Sequence, residues 1–285
     1  MKIRLKAGYF LILIAVICSV LITGCVTHSE RHTAASVVDF LYPDVKDPVV
    51  TPGIPVLKLP LRVGIAFVPG AAYGSGLTEQ KKMDLMKQVA NRFKSYPFIK
   101  DIELIPTAYL RNKGGFANLE QIRTMYGVDV VALVSYDQVQ FTDQGLLSLT
   151  YWTIVGAYVV PGEMNDTQTM LDTVVVDISS KQMLFRAPGV DHVKGRSTPV
   201  NLSEQLRIDS DASFGKAANQ MIENLDQQLA AFKDKVKEHP DDYKVVRTAE
   251  YQARTGGGSL DIVWIVLVAV MGIAFVLSNR CSVLK

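Results

Sequence analysis

The middle of this 285-residue chain contains no cysteine. The three cysteines are Cys18 and Cys25 near the N-terminus and Cys281 near the C-terminus. The part between residues 60 and 238 therefore has no disulfide, and it must be stabilised by its hydrophobic core alone. A span of this length is long enough to bury such a core.

An excess of charge of either sign is also absent. The 30 Lys and Arg residues nearly balance the 28 Asp and Glu residues, and the formal net charge is +2. Electrostatic binding to nucleic acid needs a strongly basic surface, so the sequence predicts no nucleic-acid partner.

A complete catalytic or cofactor motif is missing too. The loop at 70–76 lacks the glycine spacing of a dinucleotide-binding loop and the Gly-Lys-Ser/Thr of a triphosphate-binding loop. Ser213 and Lys216 match the S-x-x-K pattern, and His192 is the only histidine between residues 61 and 238. Neither has the remaining members of a catalytic set, although Asp191 adjoins His192. We therefore expect no catalytic residue and no cofactor.

Metal ligands are equally sparse. His28 and His32 are four residues apart, but no third ligand accompanies them and their segment is a poor helix former, so no metal site is expected. Asp209 and Asp211, near the start of a long predicted helix, are interpreted as surface charges that the helix dipole favours.

What the chain does have is an unusual C-terminal tail. Three glycines and a serine, Gly256, Gly257, Gly258 and Ser259, precede an apolar run over 262–277 and a basic end. As a helix the run measures about 24 Å, slightly short of a ~30 Å hydrocarbon core, and flanking residues can extend it. An ordinary single-pass anchor would account for the apolar run but not for the glycines.

The order of glycines, a short apolar helix and a basic end resembles the GlyGly-CTERM sorting signal. That resemblance implies cleavage near Gly256, Gly257, Gly258 and Ser259 by rhombosortase, an intramembrane protease of the rhomboid type. Asp261, at the opening of the apolar helix, departs from the pattern.

The N-terminus has the parts of an export signal. Three basic residues precede an apolar stretch over 9–22, which ends in Ile22-Thr23-Gly24-Cys25. These four residues resemble the bacterial lipobox, which implies cleavage before Cys25 by a lipoprotein signal peptidase and lipidation of the thiol, including a palmitate-type acyl chain. A plain uncleaved anchor helix is the alternative.

Basic residues flank both apolar segments on their outer sides, so both ends begin in the cytoplasm and the middle faces the periplasm. Val26 after the lipidated cysteine, in place of Asp, favours the outer membrane after processing. The uncut precursor would be held in the inner membrane.

These signals divide the chain into a signal peptide (1–24), a proline-rich tether (25–60), a periplasmic α/β domain (61–238), a linker (239–258) and a transmembrane tail (259–285). Within the tether, 36–41 is expected to form a short helical turn packed on the domain. The domain is predicted to contain strands at 61–68, 102–105, 128–136 continuing toward 141, 146–160, 169–178 and 183–187, and helices at 78–95, 118–126 and 202–237.

This order predicts a single two- or three-layer α/β sandwich with a mixed sheet. A lipobox and a GlyGly-CTERM-like tail on one chain resemble the rhombotarget lipoprotein family. The resemblance implies a lipoprotein that is a rhombosortase substrate. The lack of a catalytic set adds the expectation of a non-catalytic, membrane-tethered binding or assembly module. Its expected partners are the membrane, the lipoprotein-processing enzymes, a rhombosortase-type protease and an unidentified envelope protein. Two alternatives remain: a periplasmic hydrolase that uses Ser213 or His192, and a doubly anchored structural protein whose tail stays intact.

Overall fold

A computed structural model describes residues 28–43, 53–70, 77–144 and 161–254. The main sheet has six strands, which are β1 (His28–Ala34), β3 (Leu61–Phe67), β4 (Ile99–Ile105), β5 (Val130–Gln144), β6 (Glu163–Asp177) and β7 (Gln182–Ser197). Its order is β4-β3-β5-β6-β7, and β1 also pairs with β5. A small second sheet joins β2 (Val56–Leu59) to β8 (Lys244–Arg247).

The main sheet is mixed, as the sequence predicts. β3 runs parallel to β4 and to β5, with Val63 in register with Ile102 and Val130. β5 and β6 are antiparallel. Ser135 donates to the carbonyl oxygen of Asp172, and Gln138, further along β5, donates to Thr169, which is earlier on β6. The four-residue turn 178–181 then joins β6 to β7 as a hairpin.

The helices are α1 (Val37–Leu41), α2 (Glu79–Phe93), α3 (Gly115–Tyr126), α4 (Leu202–Glu238) and α5 (Ala249–Arg254), with a 3₁₀ turn over Thr107–Tyr109. Local chemistry sets several of their ends. Thr78 caps α2, since its side chain accepts from the Lys81 backbone N–H at 3.3 Å. Gly127 ends α3 in the left-handed region with φ 67°, a conformation that glycine adopts without strain.

The described residues form two compact units. The first contains the described parts of Met1–His32 and Val139–Gln168, together with His192–Ser213. The second contains the described parts of Thr33–Gln138 and Phe214–Lys285, together with Thr169–Asp191.

In the second unit, helices cover both faces of the sheet. Alternation along β5 buries Val130, Ala132 and Val134 in one core, with residues of α2 and α4. It buries Val131 and Leu133 in another, with residues of α1 and α3. Period-two alternation in a strand with two covered faces produces this division.

Regular structure extends further than the sequence predicts. The 25–60 segment, expected as an extended tether, contains β1, α1 and β2, and the expected helical turn after Ser36 is confirmed. The expected linker contains β8 and α5, and Tyr243 is buried in the core. Pairing with other strands satisfies the backbone of these short elements, while Pro43, Pro55 and Pro60 lie beside them and not within them.

Candidate functional site: an apolar cavity in the second unit

The second unit contains a cavity of about 290 Å³. It lies between one face of the sheet and helices α2 and α4, with β2, β8 and α5 along one side. Its buried lining is aliphatic or aromatic and comprises Leu57, Ile65, Val89, Phe93, Ile99, Val130, Ala132, Val175, Leu184, Leu225 and Phe232. Apolar concave sites of this size are the usual form of a small-ligand site.

Two periodicities in the sequence produce this lining. On β3, the alternate residues Leu61, Val63 and Ile65 face the cavity. On α4, the cavity-facing residues Leu225, Leu229, Phe232 and Val236 are spaced by four, three and four. Such spacing places them in one stripe along a helix.

Two lysines lie at the solvent side of the cavity. Lys233 and Lys237, one helical turn apart on α4, are exposed and belong to the lining. The Lys233 ammonium is 5.5 Å from the ring centre of Phe98 and 6.0 Å from that of Tyr96, within the range of a cation–π contact. Lys237 donates to Asp234 at 2.8 Å, and this hydrogen bond lowers the pKa of the Asp234 carboxyl.

The segment β8–α5 closes the cavity on another side and is held to the rest of the unit by polar contacts. The backbone N–H of Thr248 and its hydroxyl both donate to the Leu59 carbonyl oxygen, at 3.1 and 2.8 Å. Glu250 accepts from Lys100 at 2.8 Å and from Arg254 at 3.0 Å. The hydrogen bond from Lys100 is the main reason why the pKa of Glu250 is lowered.

Helices α2 and α4 are joined beside the cavity through Asp226. This carboxylate accepts from Arg92 Nε at 2.8 Å and from the Tyr96 hydroxyl at 3.0 Å. The hydrogen bond to Asp226 raises the pKa of Tyr96, since it favours the protonated phenol, and it raises the pKa of Arg92. The Asp226 contacts thus link the two helices that form the cavity walls.

The first unit has a polar interior instead. Asn165 and Thr167 on β6 are buried, and Asn165 donates to Ser197 at 3.0 Å. Gln140 donates to the Leu206 carbonyl oxygen at 2.9 Å and to Thr167 at 3.3 Å. These hydrogen bonds compensate part of the desolvation that burial imposes on polar side chains.

Ser213 and His192, the two candidate catalytic residues, lie on different elements. Ser213 is fully buried on α4, whereas Lys216 of the same S-x-x-K pattern is exposed, so the helix points the two side chains in different directions. His192 lies within β7, and its Nε2 is 2.6 Å from Asp166 Oδ1. The buried Ser213 hydroxyl is closed to a substrate in this structure.

Asp172 and Asp177 of β6 and Asp209 of α4 have structural contacts. Asp172 forms an ion pair with Arg186 at 2.7 Å, and Asp177 accepts from the Ser180 backbone N–H at 2.8 Å. The interpretation of Asp209 as a surface charge is wrong, because only 5% of it is exposed and it accepts from Gln205 at 2.9 Å. Asp211 is exposed, as expected.

Three of the segments considered in the sequence analysis lie outside the described residues. They are Cys25, the glycines and serine of 256–259, and the loop after Gly70. Across 28–43, 53–70, 77–144 and 161–254, no helix is long and apolar enough to cross a membrane. In the same ranges, no three His, Cys, Asp or Glu residues are grouped as metal ligands would be.

The comparisons with known proteins give little. No family model matches the chain, and no curated protein matches it either. A variant PelC dodecamer from Paraburkholderia phytofirmans in space group C2 is 13% identical, with 69% of this chain and 96% of that chain covered and a TM-score of 0.28. The PelC dodecamer in space group P6 is 14% identical, with 70% and 96% covered and a TM-score of 0.25. Scores this low do not establish a shared fold.

Sequence reasoning did not find the cavity. It predicted the helix at 202–237, and Leu225, Leu229 and Phe232 of that helix line the cavity. It treated 239–258 as a linker, although Val245 and Tyr251 in that segment also line it. No pattern in the sequence marks Lys233 and Lys237, which flank Val236 of the stripe, as cavity residues, because lysines are common near the end of a helix.

Proposed function

We propose that this protein is a non-catalytic lipoprotein of the bacterial envelope that acts as a membrane-tethered binding or assembly module. The observation that carries the proposal is the presence of two membrane signals on one chain, the lipobox at Cys25 and the glycine-rich tail at 256–259. In this proposal one α/β sandwich faces the periplasm between an N-terminal signal and a C-terminal transmembrane helix. The partners are the membrane, the lipoprotein-processing enzymes, a rhombosortase-type protease and an envelope protein.

The cavity supports a binding role over a catalytic one. Its polar side chains are two lysines and a tyrosine, and its buried lining carries no acid, base or nucleophile. A reaction would need such groups in contact with the substrate. An apolar cavity can still supply binding energy by removing apolar ligand surface from water.

Intact-mass analysis of the mature protein tests the proposal. We expect a chain that begins at Cys25 with added acyl mass and ends within 256–259. Cys25→Ser is the control for lipidation, and replacement of Gly256, Gly257 and Gly258 by leucine is the control for cleavage. A mature chain that still ends at Lys285 in cells with active rhombosortase would contradict the processing step.

Fractionation separates the proposal from the doubly anchored alternative. Processing at the tail predicts a mature protein in the outer membrane, held by its acyl chains. Retention in the inner membrane after removal of the acyl chains would instead show that the C-terminal helix remains the anchor.

A further inference from the structure

We propose that the cavity of the second unit binds one acyl chain of about ten to twelve carbons whose anionic head group lies at Lys233 and Lys237. The inference deepens the proposed binding role and rests on it, since it names the ligand class of the same cavity. A free fatty acid and a single-chain phospholipid share this chemistry, and the experiment below distinguishes them.

The size of the cavity sets the length of the chain. A dry apolar cavity of about 150 Å³ is known to hold benzene, which has six carbons. A cavity of about 290 Å³ is nearly twice as large and therefore has room for roughly twelve carbons.

The lining excludes ligands with polar groups along their length. Ala132, Val175, Leu184 and Leu225 are buried and present only carbon to the cavity. A peptide, sugar or nucleotide would leave its donors and acceptors without partners there, at a cost of several hydrogen bonds. An alkyl chain has no such groups, and its polar end can remain at the surface.

The charges at the surface select the sign of the head group. Lys233 and Lys237 both belong to the lining and are exposed, so a head group at the mouth meets two ammonium groups. Asp234 competes with the head group for Lys237, with which it forms an ion pair. Both side chains of this pair are more than half exposed, and such exposed pairs are weak. The Lys233 ammonium lies 5.5 Å from the ring centre of Phe98, which also lines the cavity, and 6.0 Å from that of Tyr96.

Photo-crosslinking on the full chain tests this assignment. The protein is placed in phosphatidylcholine nanodiscs and illuminated with dodecanoate that carries a terminal diazirine, and labelled peptides are identified by mass spectrometry. Saturable labelling is expected in the peptides that contain Ala132 and Leu225. Competition by alkanoates is expected to strengthen about fourfold per added methylene up to ten to twelve carbons and then to level off.

The preference for a head group is measured with four competitors of the same chain length: dodecanoate, dodecanol, dodecyltrimethylammonium and a lysophosphatidylglycerol. Dodecanoate is expected to compete at least tenfold better than the cation. Stronger competition by the lysophospholipid than by dodecanoate identifies a phospholipid as the source, and the reverse identifies a free fatty acid. Equal competition by the cation and by dodecanoate would overturn the assignment of an anionic head group.

Matched variants locate the site. Lys233→Glu combined with Lys237→Glu is expected to weaken dodecanoate about tenfold and to leave dodecanol unchanged, whereas Lys216→Glu, exposed elsewhere on α4, changes neither. Ala132→Phe fills the cavity and is expected to abolish labelling, with Val63→Phe as a second filling variant should the first fail to fold.

Two results would overturn the proposal. One is label that is unsaturable or spread over the surface. The other is a folded filling variant that is labelled like the wild type. Neither result affects the lipidation of Cys25 or the cleavage of the tail, which the mass analysis measures separately, so failure of this inference is distinguishable from failure of the proposed function.

Discussion

Gly189 on β7 packs directly against the backbone of α4, and replacing it with alanine should destabilise the protein. A Cβ at this position would fall against the Ala217 carbonyl oxygen and lie 2.6 Å from Met221 N and 2.8 Å from its Cβ. The first two of these atoms are helix backbone, which cannot rotate away as a flexible side chain can. The strand or the whole of α4 must therefore move.

The size of the effect follows from this geometry. Overpacking of a core costs about 1–3 kcal/mol, and a clash with backbone belongs at the upper end of that range, about 3 kcal/mol. For a protein of this size, 1 kcal/mol corresponds to a change in Tm of about 2–4 °C. We expect Gly189→Ala to lower the Tm by roughly 6–12 °C.

Gly215, on the exposed side of α4, provides the matched control. A Cβ there would meet nothing within 4 Å. Alanine stabilises an exposed helix interior by about 0.8–1.0 kcal/mol relative to glycine. We expect Gly215→Ala to raise the Tm by roughly 2–4 °C.

Thermal unfolding of the two variants and the wild type, followed by far-ultraviolet circular dichroism of the full chain in nanodiscs, gives the comparison. The same chemical change at two glycines should shift the Tm in opposite directions. Equal shifts, or a Gly189→Ala variant as stable as the wild type, would show that β7 does not pack against α4 as described.

Four further predictions follow from other contacts. Asp226→Ala removes the hydrogen bond that raises the pKa of Tyr96, so this pKa should fall toward the usual value near 10, as measured by ultraviolet titration against Asp84→Ala as a control. The pKa of Glu250 is lowered in the folded state, so its contacts stabilise the folded protein at pH values above the unfolded pKa of about 4.3. This stabilisation is lost as the pH falls through the folded pKa, and Glu250→Gln should remove this part of the acid dependence of Tm. Leu225→Ala should cost about 3 kcal/mol in urea unfolding, because the buried leucine already borders a cavity that its removal enlarges. Ser213→Ala and His192→Ala together should leave the cellular phenotype unchanged, and loss of that phenotype in a folded variant would support the hydrolase alternative.

Much of the local structure could be predicted from the sequence. It predicted α2 from Thr78, the end of α3 at Gly127 and nearly the full length of α4, because caps and helical periodicity depend on residues only a few positions apart. It also predicted the mixed α/β sheet, since alternating and continuous apolar runs identify strands.

Short strands with weak hydrophobic patterns could not be predicted from the sequence. β2 and β8 are separated by 184 residues between Leu59 and Lys244, and among the described strands each pairs only with the other. Neither four-residue strand has a pattern that identifies its partner, so the sequence indicated a tether and a linker. The contact of Thr248 with the Leu59 carbonyl oxygen depends on the same long-range pairing.

The hydrophobic periodicity of a helix or strand can be read from the sequence, and it predicts which residues of that element face away from water. Only the tertiary structure decided what each apolar face packs against, and that the stripe of α4 faces β3 across an unfilled volume with Lys233 and Lys237 at its edge. The physical reason is that hydrophobic periodicity reports burial, which one element can encode, whereas a cavity is the volume that several elements fail to fill, which none of them encodes alone.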